Sequence, residues 1–77
     1  MRELLEFLAS ALVDEPGAVT VESFEEDDGT LVLELRVADD DVGKVIGRGG
    51  GTINAIRAVV RACSVKQSRR VLVDVVD

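Results

Sequence analysis

The sequence predicts an α+β fold in which helices and strands follow in the order α-β-β-α-α-β. Three observations predict it: a helical apolar period at the N-terminus, strand-like alternation in the middle, and a glycine loop between two helical segments. The last strand returns after a two-helix crossover, which normally makes it parallel to the strand before the crossover, with a right-handed connection. We therefore expect a three-stranded mixed sheet with the helices on one face.

The first helix is predicted over residues 1–13 by apolar side chains that collect on one side at 3.6 residues per turn. These side chains are Leu4, Leu5, Phe7, Leu8, Ala11 and Leu12. Pro16 and Gly17 end the helix, because a proline disfavours helical geometry in the residue before it. The polar side carries acids instead of a basic row, which disfavours binding to anionic lipid. We expect the helix to pack on the sheet.

Two strands are predicted over residues 18–25 and 30–37. In the second strand, Leu31, Leu33, Leu35 and Val37 alternate with Thr30, Val32, Glu34 and Arg36. This period of two is typical of a strand with one buried and one exposed face. Asp28 and Gly29 lie between the strands, and an Asp-Gly pair favours a hairpin turn. The acids near this turn lack the spacing of calcium ligands, so we expect a solvated turn.

The stretch over residues 42–56 predicts a short helix, a glycine loop at residues 47–50 and the start of a longer helix. Asp39 or Asp40 is interpreted as a cap of the short helix and not as a metal ligand. Glycines let a ligand backbone come close, and the N-terminus of the next helix presents unpaired N–H groups to the same place. The stretch therefore predicts an anion site, with phosphate as the obvious anion. An ordinary turn between two helices is the alternative.

The longer helix is predicted to end near Ser64, with an apolar stripe that faces inward and a polar stripe that is more exposed. Its inward stripe consists of Ile53, Ile56, Val59, Val60 and Cys63, so Cys63 is interpreted as a small core residue and not as a nucleophile. A more exposed stripe carries Asn54, Arg57 and Arg61. We expect these three side chains to be placed to contact a strand of nucleic acid.

The last strand is predicted over residues 71–76, where apolar residues occupy both faces. Such a strand is central in its sheet, or one of its faces meets a partner. The sheet face opposite the helices carries Val32, Leu72 and Val76, and it is a candidate dimer surface. An ordinary exposed sheet face is the alternative.

Charge is distributed unevenly along the chain, whose net charge is −6. The segment over residues 42–73 holds seven basic residues and no acidic residue, and all 15 acids lie outside it. The seven are Lys44, Arg48, Arg57, Arg61, Lys66, Arg69 and Arg70. Because screening at physiological salt acts over about 8 Å, a phosphate on the basic segment responds mainly to its near neighbours. The net charge therefore does not exclude a nucleic-acid partner.

The composition argues against several classes of function. The chain has no His, Trp or Tyr, so most catalytic and metal-binding arrangements lack a member. Its single cysteine cannot form an internal disulfide, which suits a reducing cytoplasm, and neither a membrane span nor a signal peptide is indicated. No Gly-Lys-Ser or Gly-Lys-Thr follows the glycines, and Thr52 replaces the third glycine of a dinucleotide fingerprint. We expect a cytoplasmic binding protein without cofactor, metal or enzymatic activity.

The ordered pattern I-G-x-x-G-x-x-I-x-x-I is met by Ile46, Gly47, Gly50, Ile53 and Ile56. This pattern, together with the order of the elements, resembles the type II KH domain, a module for single-stranded nucleic acid. Over essentially its whole length, from the N-terminal helix to the closing RRVLVDVVD, the chain is similar to small stand-alone bacterial KH proteins of the KhpA (YlqC) type. The resemblance implies one KH domain over residues 1–77.

The resemblance also implies a binding site. In KH domains the loop clamps the backbone of about four nucleotides, while the bases lie in an apolar groove beside it. By position, the loop would contact phosphate, Lys44 and Arg48 would add charge, and apolar neighbours would line or support the groove. The residues implied for RNA binding are Lys44, Val45, Ile46, Gly47, Arg48, Gly49, Gly50, Ile53, Asn54, Arg57, Lys66, Arg69 and Arg70.

The function implied by the resemblance is binding of single-stranded RNA with low sequence specificity, as an RNA chaperone or post-transcriptional regulator. The resemblance further implies a homodimer, or a heterodimer with a larger KH protein of the Jag (KhpB) type, and a link to cell shape and the cell envelope. The alternative is a KH-fold assembly module that binds protein and little or no RNA.

Overall fold

The computed structural model describes residues 1 to 76 and arranges them as three α-helices and one three-stranded sheet. The elements are α1 (Arg2–Leu12), β1 (Thr20–Glu25), β2 (Leu31–Arg36), α2 (Val42–Ile46), α3 (Gly51–Val65) and β3 (Val71–Val76). Single 3₁₀ turns at Pro16–Ala18, Asp39–Asp41 and Arg48–Gly50 join them. The predicted α+β fold and its order of elements are confirmed. Asp77, the last residue of the closing segment quoted above, lies outside the described residues.

The sheet has the strand order β1-β2-β3. β1 pairs with β2 antiparallel, with Val21 opposite Leu35, and β2 pairs with β3 parallel, with Leu33 opposite Val73. The α2–α3 crossover therefore gives the mixed sheet that was predicted. Of the two interpretations of β3, a central position is wrong, because β2 is central and β3 forms an edge. The outer edge of β3 faces the groove described below.

The core lies between one face of the sheet and the three helices. β2 supplies its centre, since Leu33 and Leu35 are fully buried while Arg36 is exposed. The other buried apolar residues are Leu5 and Ala9 of α1, Val21 of β1, Val45 of α2, Ile53, Ile56 and Val60 of α3, and Val71 and Val73 of β3. The alternation predicted for β2 is therefore confirmed at Leu33, Leu35 and Arg36, whereas the placement of Thr30 on the exposed face is wrong, because Thr30 is buried.

Both long helices bury a narrower stripe than the sequence predicted. In α1, Phe7 and Leu12 are 71% and 41% exposed. In α3, Val59 and Cys63 are exposed, so the interpretation of Cys63 as a core residue is wrong. The buried stripe of α3 continues instead to Ser64, whose hydroxyl donates to the carbonyl oxygen of Arg61 at 2.9 Å. At about 100° per residue, residues 53, 56, 60 and 64 share one side of the helix, and positions 59 and 63 lie just beyond its border, next to Ile56.

None of the helices over residues 1 to 76 combines the length and the apolar character that a bilayer crossing requires.

Candidate nucleic-acid interface

The glycine loop joins α2 to α3 in a backbone shape that depends on glycine. Gly47 and Gly49 have positive φ angles of 76° and 62°. A Cβ on Gly47 would lie 2.2 Å from the Oγ1 atom of Thr52 and 2.7 Å from its backbone nitrogen, so a larger residue must displace the start of α3. A Cβ on Gly49 would meet no atom within 4 Å. The loop is therefore packed at its first glycine and open at its middle.

Two N–H groups of the loop are available to a ligand. The N–H of Gly47 donates to the carbonyl oxygen of Gly43 at 2.9 Å, and that of Gly50 donates to Gly47 at 3.2 Å. Within residues 1 to 76, no backbone carbonyl accepts from the N–H of Arg48 or Gly49, and both residues are exposed. They lie next to the N-terminus of the 15-residue helix α3, where the helix dipole favours an anion. The outer side of the loop can therefore bind a phosphate.

A groove opens beside the loop, between α3 and the outer edge of β3. We call its first part the proximal cavity, which has a volume of about 330 Å³ and is lined by Asn54, Arg57, Arg61, Leu72, Val73 and Asp74. The distal cavity, also about 330 Å³, is lined by Arg61, Ser64, Val65, Arg70, Val71 and Leu72. Since two residues line both cavities, the cavities adjoin and form one groove. The side chain of Asn54 lies near Gly50 and connects the groove to the loop.

Arg57 crosses the proximal cavity to the edge strand. Its Nε donates to the carbonyl oxygen of Val73 at 3.1 Å, and its Nη1 donates to the Oδ1 atom of Asn54 at 3.4 Å. A guanidinium carries five N–H donors, so most of them stay free for a ligand. Arg57 is thereby held in place and presents donors to the groove, while Asp74 on the other wall presents a carboxylate.

Lys44 differs from Arg48, the other implied basic residue at the loop, because its charge is balanced within the protein. Its ammonium forms ion pairs with the carboxylates of Asp14 and Asp41. The hydrogen bond to Asp14 raises the pKa of Lys44, and Asp41 adds to this effect against partial desolvation. Lys44 therefore contributes less positive potential at the loop than its position in the sequence implies.

Asp41 is a structurally important residue that the sequence analysis missed. Its buried carboxylate accepts from the backbone N–H groups of Asp14 and Glu15 at 3.2 and 3.1 Å. Burial acts to raise the pKa of Asp41, but these two donors and Lys44 outweigh it and hold the pKa below its usual range. Asp41 thus ties the connection after α1 to the start of α2. Asp41 is the third of three successive aspartates. Its position directly before a predicted helix was the only feature of the sequence that pointed to a structural role.

The interpretation of Asp39 or Asp40 as the cap of α2 is wrong. Asp41 occupies the N-cap position, and no side chain among the described residues caps the helix. Asp39 and Asp40 are exposed within the preceding 3₁₀ turn. The buried carboxylate of Asp41 instead accepts hydrogen bonds from the α1–β1 connection.

The remaining implied residues divide by position. Val45 and Ile53 are buried in the core and Ile46 is half-buried, so the first two are placed to support the loop from beneath. Arg70 lines the distal cavity, whereas Lys66 is exposed and lines neither cavity.

Arg69 points elsewhere. Its guanidinium pairs with Glu25 at 3.3 Å and donates to the carbonyl oxygen of Gly29 at 3.4 Å. It therefore binds the β1–β2 hairpin.

The groove residues missing from the implied set are Arg61, Ser64, Val65, Val71, Leu72, Val73 and Asp74. Most of them lie on β3. The sequence shows that this strand is apolar on both faces, but it does not show that the outer edge of the strand is open.

Comparison with known proteins places the chain in a family. A family model described as the KH domain of KhpA/KhpB matches residues 2–75. A protein of Halalkalibacterium halodurans named RNA-binding protein KhpA is 51% identical over 78 residues that cover the whole of both chains. A protein of the same name from Streptomyces coelicolor is 48% identical over 77 residues, covering all of this chain and 92% of the relative. No solved structure matches the chain significantly.

A third relative, from Clostridium acetobutylicum, is 43% identical over 76 residues that cover 99% of this chain and all of the relative. Like the other two it is named an RNA-binding protein, which agrees with the expectation that the chain is not an enzyme. The family match runs from the first residue of α1 to the penultimate residue of β3, and the first relative matches over its full length. The chain therefore belongs to the KhpA/KhpB family of KH-domain proteins.

Proposed function

We propose that this chain binds single-stranded RNA with low sequence specificity. The observation that carries the proposal is the outer side of the glycine loop, where the exposed residues Arg48 and Gly49, beside α3, have N–H groups without a backbone acceptor in residues 1 to 76. These donors, with the Arg48 guanidinium, suit a phosphate of the RNA backbone. The names of the relatives support the choice of RNA as the ligand.

Low specificity follows from the kind of contacts that the groove offers. Its arginines contact phosphates of any sequence, and its apolar walls accept the faces of any base. The polar side chains of the proximal cavity, which are those of Asn54, Arg57, Arg61 and Asp74, carry hydrogen-bonding groups that suit base edges. We expect them to give a preference and not a strict sequence requirement.

The proposal is tested by changing Arg48 and Gly49 together to Asp. Two carboxylates on the outer side of the loop repel phosphate at the proposed contact, so we expect binding of single-stranded RNA to be lost. The measurements are fluorescence anisotropy with a labelled oligonucleotide and recovery of crosslinked RNA from cells. The far-UV circular dichroism is expected to stay that of the parent protein, since both positions are exposed.

A matched control changes Arg2 and Gly17 to Asp. It replaces the same two residue types and changes the net charge equally, but at exposed positions outside the loop and the groove. RNA binding in this variant is expected to fall much less than in the loop variant. Equal losses in the two variants, or undiminished crosslinking in the loop variant, would contradict the loop as the binding site.

The finer function that we propose is that of an RNA chaperone or post-transcriptional regulator in the cytoplasm. We further propose that it acts as a homodimer, or as a heterodimer with a Jag/KhpB-type KH protein, in the control of cell shape and the cell envelope. Family membership supports this extension. Mass measurement by light scattering, with and without such a partner, tests the assembly, and the RNA recovered by crosslinking identifies the regulated transcripts.

A second candidate function is that of a protein assembly module with little RNA binding. The exposure of Phe7 and Val65, at 71% and 74%, favours it, because large apolar side chains at the surface are typical of protein contacts. A salt titration separates the two functions, since phosphate contacts make RNA affinity fall steeply with salt. A flat titration would favour assembly.

A further inference from the structure

The outer sheet face, by which we mean the face of the sheet that points away from the helices, carries a row of apolar side chains. In the strand register, Phe24 is opposite Val32 and Val32 is opposite Leu72. Val32 and Leu72 alternate with buried positions of β2 and β3, so the row lies on the outer face. Phe24 is 48% exposed, and the other two are half-buried. We call these three side chains the apolar row. Apolar side chains grouped at a surface are typical of a protein contact.

An acidic row lies directly beside the apolar row. Two positions along the strands, Glu22 is opposite Glu34 and Glu34 is opposite Asp74 in the same register. Neighbouring strands are about 4.8 Å apart and the two rows are about 7 Å apart, so three carboxylates share a small area. Within residues 1 to 76, no basic side chain lies within 4 Å of these carboxylates. Even Arg36, which follows Glu34 by two residues on the same face, is not paired with them.

The acidic row does not stabilise the fold. Like charges directly opposite one another on adjacent strands are destabilising, and none of the three residues belongs to the buried core. The row is not a metal site either, since no group of three potential ligands in the described part of the chain is placed to hold a metal ion. A feature that weakens the sheet and faces outward is typical of a surface used for recognition.

Charge decides which occupant the outer sheet face accepts. The acidic row repels RNA phosphates and anionic lipid headgroups. A second copy of the chain related by a twofold axis would bring two acidic rows into the same interface. A protein segment with Lys or Arg beside apolar side chains satisfies both rows, because opposite charges across an interface attract and align the partners.

We propose that the outer sheet face is a docking surface for a basic, amphipathic segment of a partner protein. The apolar side chains of the segment pack on the apolar row, and its Lys or Arg side chains pair with the acidic row. The inference goes beyond the proposed function and does not depend on it. Leu72 and Asp74 also line the groove. Phe24, Glu22 and Glu34 line neither cavity, so the experiments change these residues of β1 and β2.

The first test uses two synthetic peptides with the same helical pattern of Leu, one with Lys and one with Glu at the polar positions. Fluorescence anisotropy measures their affinities for the parent protein and its variants. We expect the parent to bind the Lys peptide at least about tenfold more tightly than the Glu peptide. The double variant Glu22→Lys with Glu34→Lys should lose about tenfold in affinity for the Lys peptide.

Glu3→Lys with Glu15→Lys is the matched control. It makes the same two substitutions and the same change of net charge, at exposed positions on α1 and on the connection after it. Its affinity for the Lys peptide should fall by less than about threefold, because salt screens charges that lie far from the peptide.

Glu34→Lys alone separates recognition from folding. The substitution replaces the middle carboxylate of the acidic row, so it removes both like-charge neighbours of that position. It should raise the urea midpoint of unfolding and weaken binding of the Lys peptide at the same time.

Phe24→Ser tests the apolar row, with Phe7→Ser as the matched control. Phe7 is 71% exposed on α1, on the other side of the sheet. Affinity for the Lys peptide should fall about fivefold in Phe24→Ser and less than about twofold in Phe7→Ser. Neither variant should change affinity for single-stranded RNA by more than about twofold, since both residues lie outside the groove.

Several results would overturn the inference. Equal affinity of the parent for the two peptides would show that the acidic row selects nothing. Equal losses in the two double variants would show attraction to the net charge alone. A loss of RNA affinity in Phe24→Ser would assign the outer sheet face to RNA, and a lower oligomeric mass in that variant would assign it to a second copy. A lower urea midpoint in Glu34→Lys would show that the acidic row serves the fold.

Discussion

The two sides of the glycine loop are built differently, although the same short stretch of sequence supplies both. On the α2 side, Gly47 packs against Thr52, Asp41 binds the α1–β1 connection, and Lys44 is paired with two carboxylates. On the α3 side, Arg48 and Gly49 are exposed, and no backbone carbonyl in the described part of the chain accepts from their N–H groups. We refer to these as the anchored side and the open side. The anchored side holds the loop in shape, and the open side is left to contact a ligand.

A count of basic residues does not measure the charge that a ligand meets. Lys44 and Arg48 are four residues apart in the same basic segment, yet only Lys44 has carboxylate partners among the described residues. A phosphate at the loop would therefore meet the full charge of Arg48 and little of the charge of Lys44. We therefore expect variants of the anchored side to change stability and variants of the open side to change RNA affinity.

Gly47→Ala should damage the anchored side most. The added Cβ would meet Thr52 at 2.2 Å, and the φ angle of 76° disfavours any residue with a side chain. We expect the free energy of unfolding to fall by about 2 kcal/mol or more, measured by urea denaturation. Gly49→Ala is the control, since it has positive φ but no steric conflict, and it should cost about 1 kcal/mol. Equal losses of unfolding free energy in the two variants would contradict the division into an anchored side and an open side.

Asp41→Asn should change how stability depends on pH. Because the pKa of Asp41 is lowered in the folded protein, its contribution is present above the unfolded value of about 3.9 and is lost as pH falls through the lower folded value. The variant should therefore be less stable at neutral pH and lose less stability on acidification, as measured by Tm between neutral pH and pH of about 2.

Asp28→Asn is the comparison for this pH experiment. Asp28 also has a lowered pKa, chiefly because its carboxylate accepts from the backbone N–H of Thr30, but it lies in the hairpin turn, away from the loop. In both variants, Tm should fall less on acidification than it does in the parent protein. Only Asp41→Asn should also weaken RNA binding, because only Asp41 positions the loop. An RNA affinity unchanged in Asp41→Asn would show that the anchored side does not control the open side.

The third test compares the two basic residues directly. Arg48→Gln removes a free charge from the open side, so affinity for single-stranded RNA should fall about fivefold and the salt slope by about 0.7. The double variant Asp14→Asn with Lys44→Gln removes both ion pairs of Lys44 from the anchored side without changing the net charge, and it should alter affinity by less than about twofold. A larger loss in the double variant would mean that Lys44 contacts RNA in spite of its partners.

These differences show which parts of the molecule were predictable from sequence. The helices and strands were predictable, because the alternation in β2 and the glycine pattern each depend on residues that are close together in the sequence. The pairing of Lys44 with Asp14 was not, since the two residues are 30 positions apart and only the fold brings them together. The open edge of β3 was also missed, because apolar residues on both faces fit a central strand as well as an edge strand beside a groove.

The exposure of Cys63 has a similar origin. A helical pattern identifies which residues share a side, but the width of the buried stripe depends on how many elements cover that side. In α3 the side packed against α1, α2 and β3 buries Ile53, Ile56, Val60 and Ser64. The apolar residues beside that stripe remained ambiguous in the sequence and are exposed in the structure.

The smallest expected effect concerns the groove that continues the open side. Asp74 is the acidic residue that lines the proximal cavity, and its carboxylate repels any phosphate that passes near Arg57. Asp74→Asn should therefore raise affinity for oligouridylate about twofold at low salt, and the gain should shrink as salt screens the charge. Glu22→Gln is the control, because Glu22 is exposed on β1 at the far edge of the sheet. If Asp74 instead accepts a hydrogen bond from a base, affinity for cytidine-rich RNA should fall in Asp74→Asn while that for oligouridylate rises.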